Sequence, residues 1–249
     1  MKAFVFAAGL GTRLKPLTDT MPKALVPIQE KPLLGHVMEK LQRSGINEFV
    51  VNIHHFGEQI IDYLKLNWSD VPVAISDERA ALLETGGAVK KAIPLLGTES
   101  FLIHNVDILS NANIAQLTTE HTHKKAAATL LVSNRKSSRY LLFDKDMRLK
   151  AWTNTQTGQV KSPYQNIDIS TLKPYAFGGI HCFSPVLFDE MSTYPDKFSI
   201  IDFYLDQCLK YPIYGWEQPN LQLLDVGKIN SLELADMYVA QSQEIQDSI

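Results

Sequence analysis

Residues 3–18 read AFVFAAGLGTRLKPLT, and the fold prediction for the whole chain starts from this stretch. Ala3 to Ala8 form a continuous apolar run, as expected for a strand that is buried on both faces of a parallel sheet. Gly9 and Gly11 follow directly, and glycines at this place let backbone N–H groups approach an anion closely. The stretch therefore predicts a buried strand that leads into an anion-binding loop.

The loop also carries positive charge, from Arg13 and then from Lys23. A dinucleotide-binding loop would need a third glycine where Leu14 stands, and an acid at the end of the second strand, which instead runs into Asn52. A Walker loop would close on Gly-Lys and then Ser or Thr, which this loop lacks. A glycine turn with solvated basic residues is the remaining alternative. The ordered Arg, Lys and prolines of the same loop argue against it.

Strands and helices alternate beyond the loop through about the first 130 residues. The pattern predicts further strands at Glu48–Ile53, Val71–Ile75 and Phe101–Val106, and helices from Leu33, at Gly57–Leu66 and at Gly87–Ile93, the last ended by Pro94. This alternation predicts an α/β fold with a doubly wound, mostly parallel sheet. Ligands of such sheets bind at the carboxyl ends of the strands, so the loops after Ala8, Ile75 and Val106 are expected to share one edge.

The second half of the sequence is richer in strands. We expect a hairpin of Tyr140–Phe143 and Arg148–Trp152, strands at Tyr175–Phe183, Tyr214–Glu217 and Leu221–Val226, and helices at Ile200–Leu209 and Ser231–Ile245. No Pro-, Gly- or Ser-rich linker divides the chain. The sequence therefore predicts one mixed domain, residues 1–249, with a smaller β-rich subregion.

Composition excludes several classes of function. The net charge of −3 provides no electrostatic footprint for a nucleic acid polymer. No stretch approaches the roughly 20 apolar residues that span a bilayer, so we expect no membrane association and a cytoplasmic location. The two cysteines are too few for a disulfide framework.

The loop and the segment after it, Met21-Pro22-Lys23-Ala24-Leu25-Val26-Pro27, match the pattern G-x-G-T-R-x-x-P-L-T…P-K-x-L-x-P. At these residues the chain resembles the sugar-nucleotide pyrophosphorylases, a nucleotidyltransferase family, and the resemblance covers nearly the whole chain. It implies a Rossmann-like fold with a nucleotide-binding half, residues 1–135, and a sugar-binding half with closing helices, residues 136–249.

The resemblance also implies roles for particular residues. Nucleotide contacts are implied for Ala8, Gly9, Gly11, Thr12, Arg13, Lys23, Glu84, Gly86, Gly87 and Asn105. Arg13 would contact the β- and γ-phosphates and Lys23 the transferring phosphoryl group, which makes both catalytic. Asp107 and Asp225 would be the ligands of Mg²⁺, a cation that prefers oxygen donors.

The chain departs from the family pattern at two positions. Val106 stands where the family has glycine before the metal aspartate, and Leu223 stands where tryptophan is usual before the second aspartate. For the sugar phosphate, the resemblance implies contacts from Gly178 and Gly179, which could equally be a β-bulge in a core strand. Arg139, beside the hairpin, is a further candidate.

The implied reaction is transfer of a nucleoside monophosphate from an NTP, UTP or GTP, to a sugar 1-phosphate. The segment Leu83-Glu84-Thr85-Gly86-Gly87 is most similar to the corresponding segment of uridylyltransferases that act on N-acetylmuramate 1-phosphate, a cell-wall precursor. Mannose- or heptose-1-phosphate guanylyltransferase and phosphocholine cytidylyltransferase are alternatives, and a non-catalytic nucleotide-binding regulatory protein is an alternative of another class. We expect a monomer or a small homo-oligomer.

Overall fold

The alternating strands and helices that the sequence predicts are present in the computed structural model of the protein, in which residues 1–247 are described. The strands are β1 (Lys2–Phe6), β2 (Pro27–Ile28), β3 (Lys31–Pro32), β4 (Glu48–Ile53), β5 (Val73–Asp77), β6 (Phe101–Asn105), β7 (Ile108–Ser110), β8 (Ala128–Ser133), β9 (Arg139–Phe143), β10 (Leu149–Asn154), β11 (Gln159–Lys161), β12 (Lys173–Phe183), β13 (Ile213–Glu217) and β14 (Leu223–Asp225). The α-helices are α1 (Leu33–Arg43), α2 (Gly57–Asn67), α3 (Glu84–Leu96), α4 (Ile114–His123), α5 (Phe188–Met191), α6 (Ile200–Gln207) and α7 (Leu232–Asp247).

The central sheet is mixed, with the strand order β11-β10-β9-β12-β6-β1-β4-β5. The strands β6, β1, β4 and β5 run parallel, because a helix returns the chain between each consecutive pair. From β12 outward the pairing is antiparallel, as expected where hairpins replace helical crossovers. Strand β8 joins β12 and β13 beside this path.

Helices cover both faces of the sheet, which confirms the doubly wound α/β fold. Successive residues of a strand point to opposite faces, so Val5 packs with α1 and α2 while Phe4 packs with α3 and α6. Both side chains are fully buried. The apolar run at the start of the chain therefore fills two hydrophobic layers at once, as a central parallel strand must.

Helix α3 differs from its prediction at both ends. It begins at Glu84 rather than Gly87, and it continues past Pro94 to Leu96. A proline removes only one hydrogen bond when it lies in the last turn, and Leu96 remains buried against the core. Strand β5 begins two residues later than predicted, at Val73. Helix α4 and strand β8 were not predicted.

The hairpin of the second half is confirmed, because β9 and β10 pair antiparallel around the turn at residues 144–147. Strands of both halves share one sheet, since β12 pairs with β6 on one side and with β8 and β9 on others. The functional division at residue 135 stays a prediction. None of the helices within residues 1–247 has the length and apolar character needed to cross a membrane.

Candidate nucleotide and metal site

A cleft of about 270 Å³ lies at the carboxyl ends of the parallel strands. Its lining residues are Phe6, Ala8, Gly9, Lys23, Asn52, Glu78, Leu82, Glu84, Thr85, Ala88, Asn105, Val106 and Asp107. Most of them lie at or just after the carboxyl ends of β1, β4, β5 and β6, or in the first turns of α3. Lys23 lies on the 3₁₀ turn after Pro22, and Leu82 lies in the loop before α3. This is the sheet edge at which ligands of doubly wound folds bind, and it is the edge that the sequence predicts.

The glycine loop after β1 is held by its own hydrogen bonds. Thr18 Oγ1 and the N–H of Leu14 both donate to the carbonyl of Gly11, each over 2.8 Å. Gly11 has φ 64°, and a Cβ there would lie 2.8 Å from the Thr18 side chain and 3.0 Å from Lys23 Cβ. Only glycine therefore lets the loop fold back onto the segment that carries Lys23. Thr12 is exposed on the short turn after Gly11.

Lys23 forms an ion pair with Asp107 on the wall of the cleft, where Nζ donates to Oδ2. Lys23 is only 8% exposed, on a single turn of 3₁₀-helix that follows Pro22. A nearly buried ammonium needs a partner, and the carboxylate of Asp107 supplies it. A polyanion entering the cleft would compete for the same ammonium.

Asp107 and Asp225 are brought together by the small ladder of β7 and β14, in which Asp225 lies opposite Ile108. The N–H of Val226 donates to the carbonyl of Asp107 over 2.8 Å. The two aspartates are far apart in the sequence, and this pairing is what makes them neighbours.

The Arg13 guanidinium lies beside Gly227, a residue that follows β14, and so it lies near Asp225. A Cβ built on Gly227 would lie 2.6 Å from Asp225 Oδ1 and 2.7 Å from Arg13 Nη2. The carboxylate and the guanidinium thus occupy the space beside one glycine. Arg13, Lys23, Asp107 and Asp225 therefore meet at one edge of the molecule, as the resemblance requires, while their individual roles stay predictions.

Glu84 and the glycine pair of α3 are placed differently from one another. Glu84 lines the cleft, and Lys197 Nζ lies 3.9 Å from its Oε1. The N–H groups of Gly86 and Gly87 both donate to the carbonyl of Phe198, over 2.8 and 3.3 Å. A Cβ on Gly86 would lie 2.4 Å from the Phe198 ring. The geometry gives the glycines a packing function against this segment, and their predicted contact with the base gains no support from it.

Asn105 connects the cleft to strand β12, which carries the two glycines that the resemblance assigns to the sugar phosphate. Gly178 and Gly179 lie in a β-bulge, where the register with β8 shifts between Phe177 and His181. Gly179 has φ 74°, and its Cβ would lie 3.0 Å from Asn105 Nδ2. The bulge alternative is thus present, and it sets these glycines beside a residue that lines the cleft.

Val106, the departure from glycine, is buried and lines the cleft beside Asn105. Arg139 is exposed as the first residue of β9, paired across the hairpin with Asn154. It is not among the residues that line the cleft.

Sequence reasoning missed Asn52 and Glu78 as parts of the site. Asn52 Oδ1 accepts from the N–H groups of Ala7 and Ala8 over 2.6 and 3.2 Å, and its Nδ2 donates to Glu78 Oε1 over 2.7 Å. Asn52 is 3% exposed and Glu78 1%. Burial raises the pKa of Glu78, and hydrogen bonds from Asn52 and the backbone of Leu83 oppose that rise. The sequence signal that could have identified them is a polar residue at the carboxyl end of a predicted strand, where ligands bind.

Comparison with known proteins identifies the family of the chain. The family model described as "Nucleotidyl transferase" matches residues 2–242. The N-acetylmuramate alpha-1-phosphate uridylyltransferase of Neisseria meningitidis is 44% identical over 112 residues, which are 45% of this chain and 48% of that protein. The chain spans about half the length of the first curated relatives that it matches. The D-glycero-alpha-D-manno-heptose 1-phosphate guanylyltransferase of Aneurinibacillus thermoaerophilus is 27% identical over 252 residues, the full length of both.

Solved structures share the fold at low identity. HddC from Yersinia pseudotuberculosis, complexed with GMP-PN, superposes with a TM-score of 0.73 and 22% identity, covering 96% of this chain and 99% of that one. A UDP-glucose pyrophosphorylase complexed with UDP-glucose gives a TM-score of 0.76 and 20% identity, covering 97% and 98%. The family match across nearly all of the sequence, on a fold of this type, shows that the chain belongs to the nucleotidyl transferase family.

Proposed function

We propose that the protein transfers a nucleoside monophosphate from an NTP to a sugar 1-phosphate and releases pyrophosphate. The observation that carries the proposal is the meeting of Lys23 and Asp107 with Arg13 and Asp225 beside the glycine loop. Two cations and two carboxylates from four separate segments suit a magnesium-bound triphosphate. Family membership supports the same reaction class.

In this reaction an oxygen of the sugar 1-phosphate attacks the α-phosphorus of the NTP. A new P–O bond forms while the bond to the pyrophosphate oxygen breaks, and pyrophosphate leaves. The attacking phosphate is already anionic, so no side chain has to remove a proton. The work of the protein is then to position both substrates and to neutralise charge, for which Lys23 and Arg13 are the available cations.

Asp107 and Asp225 are the residues that would hold Mg²⁺, which would neutralise phosphate charge when bound. Their chemistry fits, since Mg²⁺ is commonly bound by one or two carboxylates together with water and substrate phosphates. Among residues 1–247 no group of three or more His, Cys, Asp or Glu side chains could hold a metal ion. Two carboxylates alone do not make such a group, so phosphate oxygens of the substrate and water would supply the remaining ligands of Mg²⁺. When a triphosphate offers Lys23 a new partner, Asp107 is released from the ion pair.

For the substrates we propose UTP and N-acetylmuramate 1-phosphate. The sequence of residues 83–87 supports this choice. So do the N-acetylmuramate alpha-1-phosphate uridylyltransferases of Neisseria meningitidis and Caulobacter vibrioides, which are 44% and 42% identical over about half of their length. A cytoplasmic enzyme of nucleotide-sugar and cell-wall metabolism is the corresponding cellular role.

Other reactions of the same class are alternatives. Transfer of GMP to heptose or mannose 1-phosphate is favoured by the match to the heptose 1-phosphate guanylyltransferase over its full length. Transfer of CMP to phosphocholine, as by a phosphocholine cytidylyltransferase, is a further alternative. A non-catalytic regulatory protein is the alternative of a different class, and bulky Val106 beside the nucleotide position is the feature that favours it.

The test is a matrix of pyrophosphate-release assays. UTP, GTP and CTP are combined with N-acetylmuramate, mannose and heptose 1-phosphates and with phosphocholine, with and without Mg²⁺. We expect magnesium-dependent turnover that is fastest for UTP with N-acetylmuramate 1-phosphate. Nucleotide binding with no pyrophosphate in any combination would support the regulatory alternative instead.

Lys23→Ala should lower turnover by about a hundredfold or more, because a preorganised electrostatic donor is lost. The matched control is Lys15→Ala in the same loop, since Lys15 is exposed and pairs only with Asp19 in the salt bridges of the described chain. Thermal melting of both variants separates a catalytic loss from unfolding. Turnover of Lys23→Ala within a few-fold of the wild type would remove Lys23 from the mechanism.

A further inference from the structure

The loop after β8 and the first residue of β9 carry a cluster of cations, of which only Arg139 is a sequence-based candidate for binding the sugar phosphate. Residues 133–140 read SNRKSSRY, so Arg135, Lys136 and Arg139 fall within five residues and no acid lies among them. The chain as a whole is acidic, with a net charge of −3. All three side chains are exposed, and no salt bridge to any of them occurs within the described part of the chain.

Hydrogen bonds fix the shape of this loop. The N–H of Ser137 donates to Tyr140 Oη over 2.8 Å, and the N–H of Arg139 donates to Ser137 Oγ over 3.1 Å. The N–H of Thr155 donates to the carbonyl of Ser138 over 2.9 Å, which ties the loop to the end of the hairpin. The cations are therefore presented from a held loop. A site built in this way loses less entropy when it binds a ligand.

Arg135 is joined directly to the sugar-side strand. Its Nη2 donates to the carbonyl of Phe177 over 3.1 Å, and Phe177 precedes the Gly178–Gly179 bulge. The bulge in turn contacts Asn105 on the wall of the cleft, since a Cβ on Gly179 would lie 3.0 Å from Asn105 Nδ2. Strand β12 lies between β6, which ends at Asn105, and β8, which leads into the loop, so Arg135 approaches the bulge from the β8 side. The bond to Phe177 is the one hydrogen bond of this guanidinium among residues 1–247, and its remaining N–H groups are donors that a ligand can use.

The bulged strand β12 thus lies between the loop that carries these cations and β6, which leads to Asp107 in the cleft. The phosphates of both substrates must meet near Lys23 and Asp107, where the reaction takes place. A sugar ring that rests against the bulge would direct its substituents away from the anomeric phosphate and toward Arg135. The planar guanidinium fork matches a carboxylate, to which it can donate two parallel hydrogen bonds.

We propose that Arg135, supported by Lys136, forms a subsite for a carboxylate on the acceptor sugar, separate from the site of its 1-phosphate. The inference rests on the proposed function and narrows its substrate class to acidic sugar 1-phosphates. N-acetylmuramate 1-phosphate carries such a carboxylate, on the lactyl group that distinguishes it from N-acetylglucosamine 1-phosphate. Selectivity between these two sugars then depends on this loop.

The test compares three acceptors with UTP and Mg²⁺: N-acetylmuramate 1-phosphate, the same compound with its carboxylate converted to the amide, and N-acetylglucosamine 1-phosphate. We expect Arg135→Gln to lower kcat/KM for the acid by about 10- to 100-fold, as loss of a charge-assisted hydrogen bond does. The two acceptors without a carboxylate should change little. Arg135→Lys should restore part of the loss, and Lys136→Gln should reproduce it in weaker form.

Lys145→Gln is the matched control, because Lys145 lies exposed in the turn of the hairpin and pairs with Asp146. A comparison of the acid with its amide also tests the subsite in the wild type, without any substitution. The wild type should have the higher kcat/KM for the acid. Two results would overturn the subsite and leave the nucleotidyltransferase proposal intact: Arg135→Gln lowers kcat/KM equally for all three acceptors, or it leaves the preference for the acid unchanged. Failure of the wild type with every sugar phosphate would instead refute the proposed function itself.

Discussion

Replacing Gly227 with alanine should damage the proposed active centre while the fold persists. The added Cβ would lie 2.6 Å from Asp225 Oδ1, 2.7 Å from Arg13 Nη2 and 3.3 Å from Arg13 Cζ. Ordinary contact begins at 3.4 Å, so the carboxylate and the guanidinium must each retreat by about 0.7–0.8 Å. Both are the ends of exposed, flexible side chains, so the cost in stability should stay below about 1 kcal/mol.

The cost in activity should be much larger, because a misplacement of about 1 Å in an active site can lower the rate by about a hundredfold. We expect kcat/KM for UTP to fall by roughly 10- to 100-fold, measured by pyrophosphate release, with little change in Tm. Gly97→Ala is the opposite control: its Cβ would meet nothing within 4 Å, but its φ of 81° strains alanine. It should lower Tm and leave kcat/KM unchanged. Wild-type activity in Gly227→Ala would refute the close approach of Arg13 and Asp225.

Three further predictions follow from other contacts. Asn52→Leu removes the acceptor of two backbone N–H groups and the donor to buried Glu78, so the free energy of unfolding should fall by about 2 kcal/mol or more, seen as a Tm lower by roughly 5 °C. Burial lowers the pKa of His104 to about 4 and that of His181 to about 3, so the unfolded chain binds protons that the folded chain excludes. Their contribution to stability should be complete above the ordinary pKa of 6.5 and should be lost as the pH falls toward 4, measured by urea midpoints; a midpoint that rises on acidification would contradict it. Asp225→Asn should raise the Mg²⁺ concentration for half-maximal activity by about tenfold or more, and an unchanged Mg²⁺ dependence would exclude Asp225 as a ligand.

The parts of the site that sequence predicts well are those in which residue type and position in the strand pattern coincide. The glycines after β1 and the aspartate after β6 follow buried apolar runs, and parallel strands bring their carboxyl ends to one edge. Lys23 was found through the proline-flanked segment, and Asp225 only through the family resemblance. Nothing local in the sequence indicates that β14 returns to pair with β7 and so brings Asp225 beside Asp107.

The parts that sequence predicts poorly depend on tertiary partners. Gly86 and Gly87 read as a ligand contact, and only the packing of Phe198 shows that their N–H groups are already bonded. Asn52 and Glu78 each look like an ordinary polar residue at the end of a strand. Their importance arises from a hydrogen bond between two neighbouring strands, in a place from which water is excluded. Helix α3 continues through Pro94 because burial of Leu96 outweighs the local preference to stop.

The central claim is that the glycine loop, its two cations and the two aspartates form one centre for transfer of a nucleoside monophosphate. The most direct measurement uses UTP radiolabelled either at the α-phosphate or at the γ-phosphate, with N-acetylmuramate 1-phosphate and Mg²⁺. The α-label should appear in the UDP-sugar and the γ-label in pyrophosphate, both abolished by chelation of the metal. Release of the γ-label as inorganic phosphate, or an α-label that never reaches a sugar nucleotide, would contradict the account.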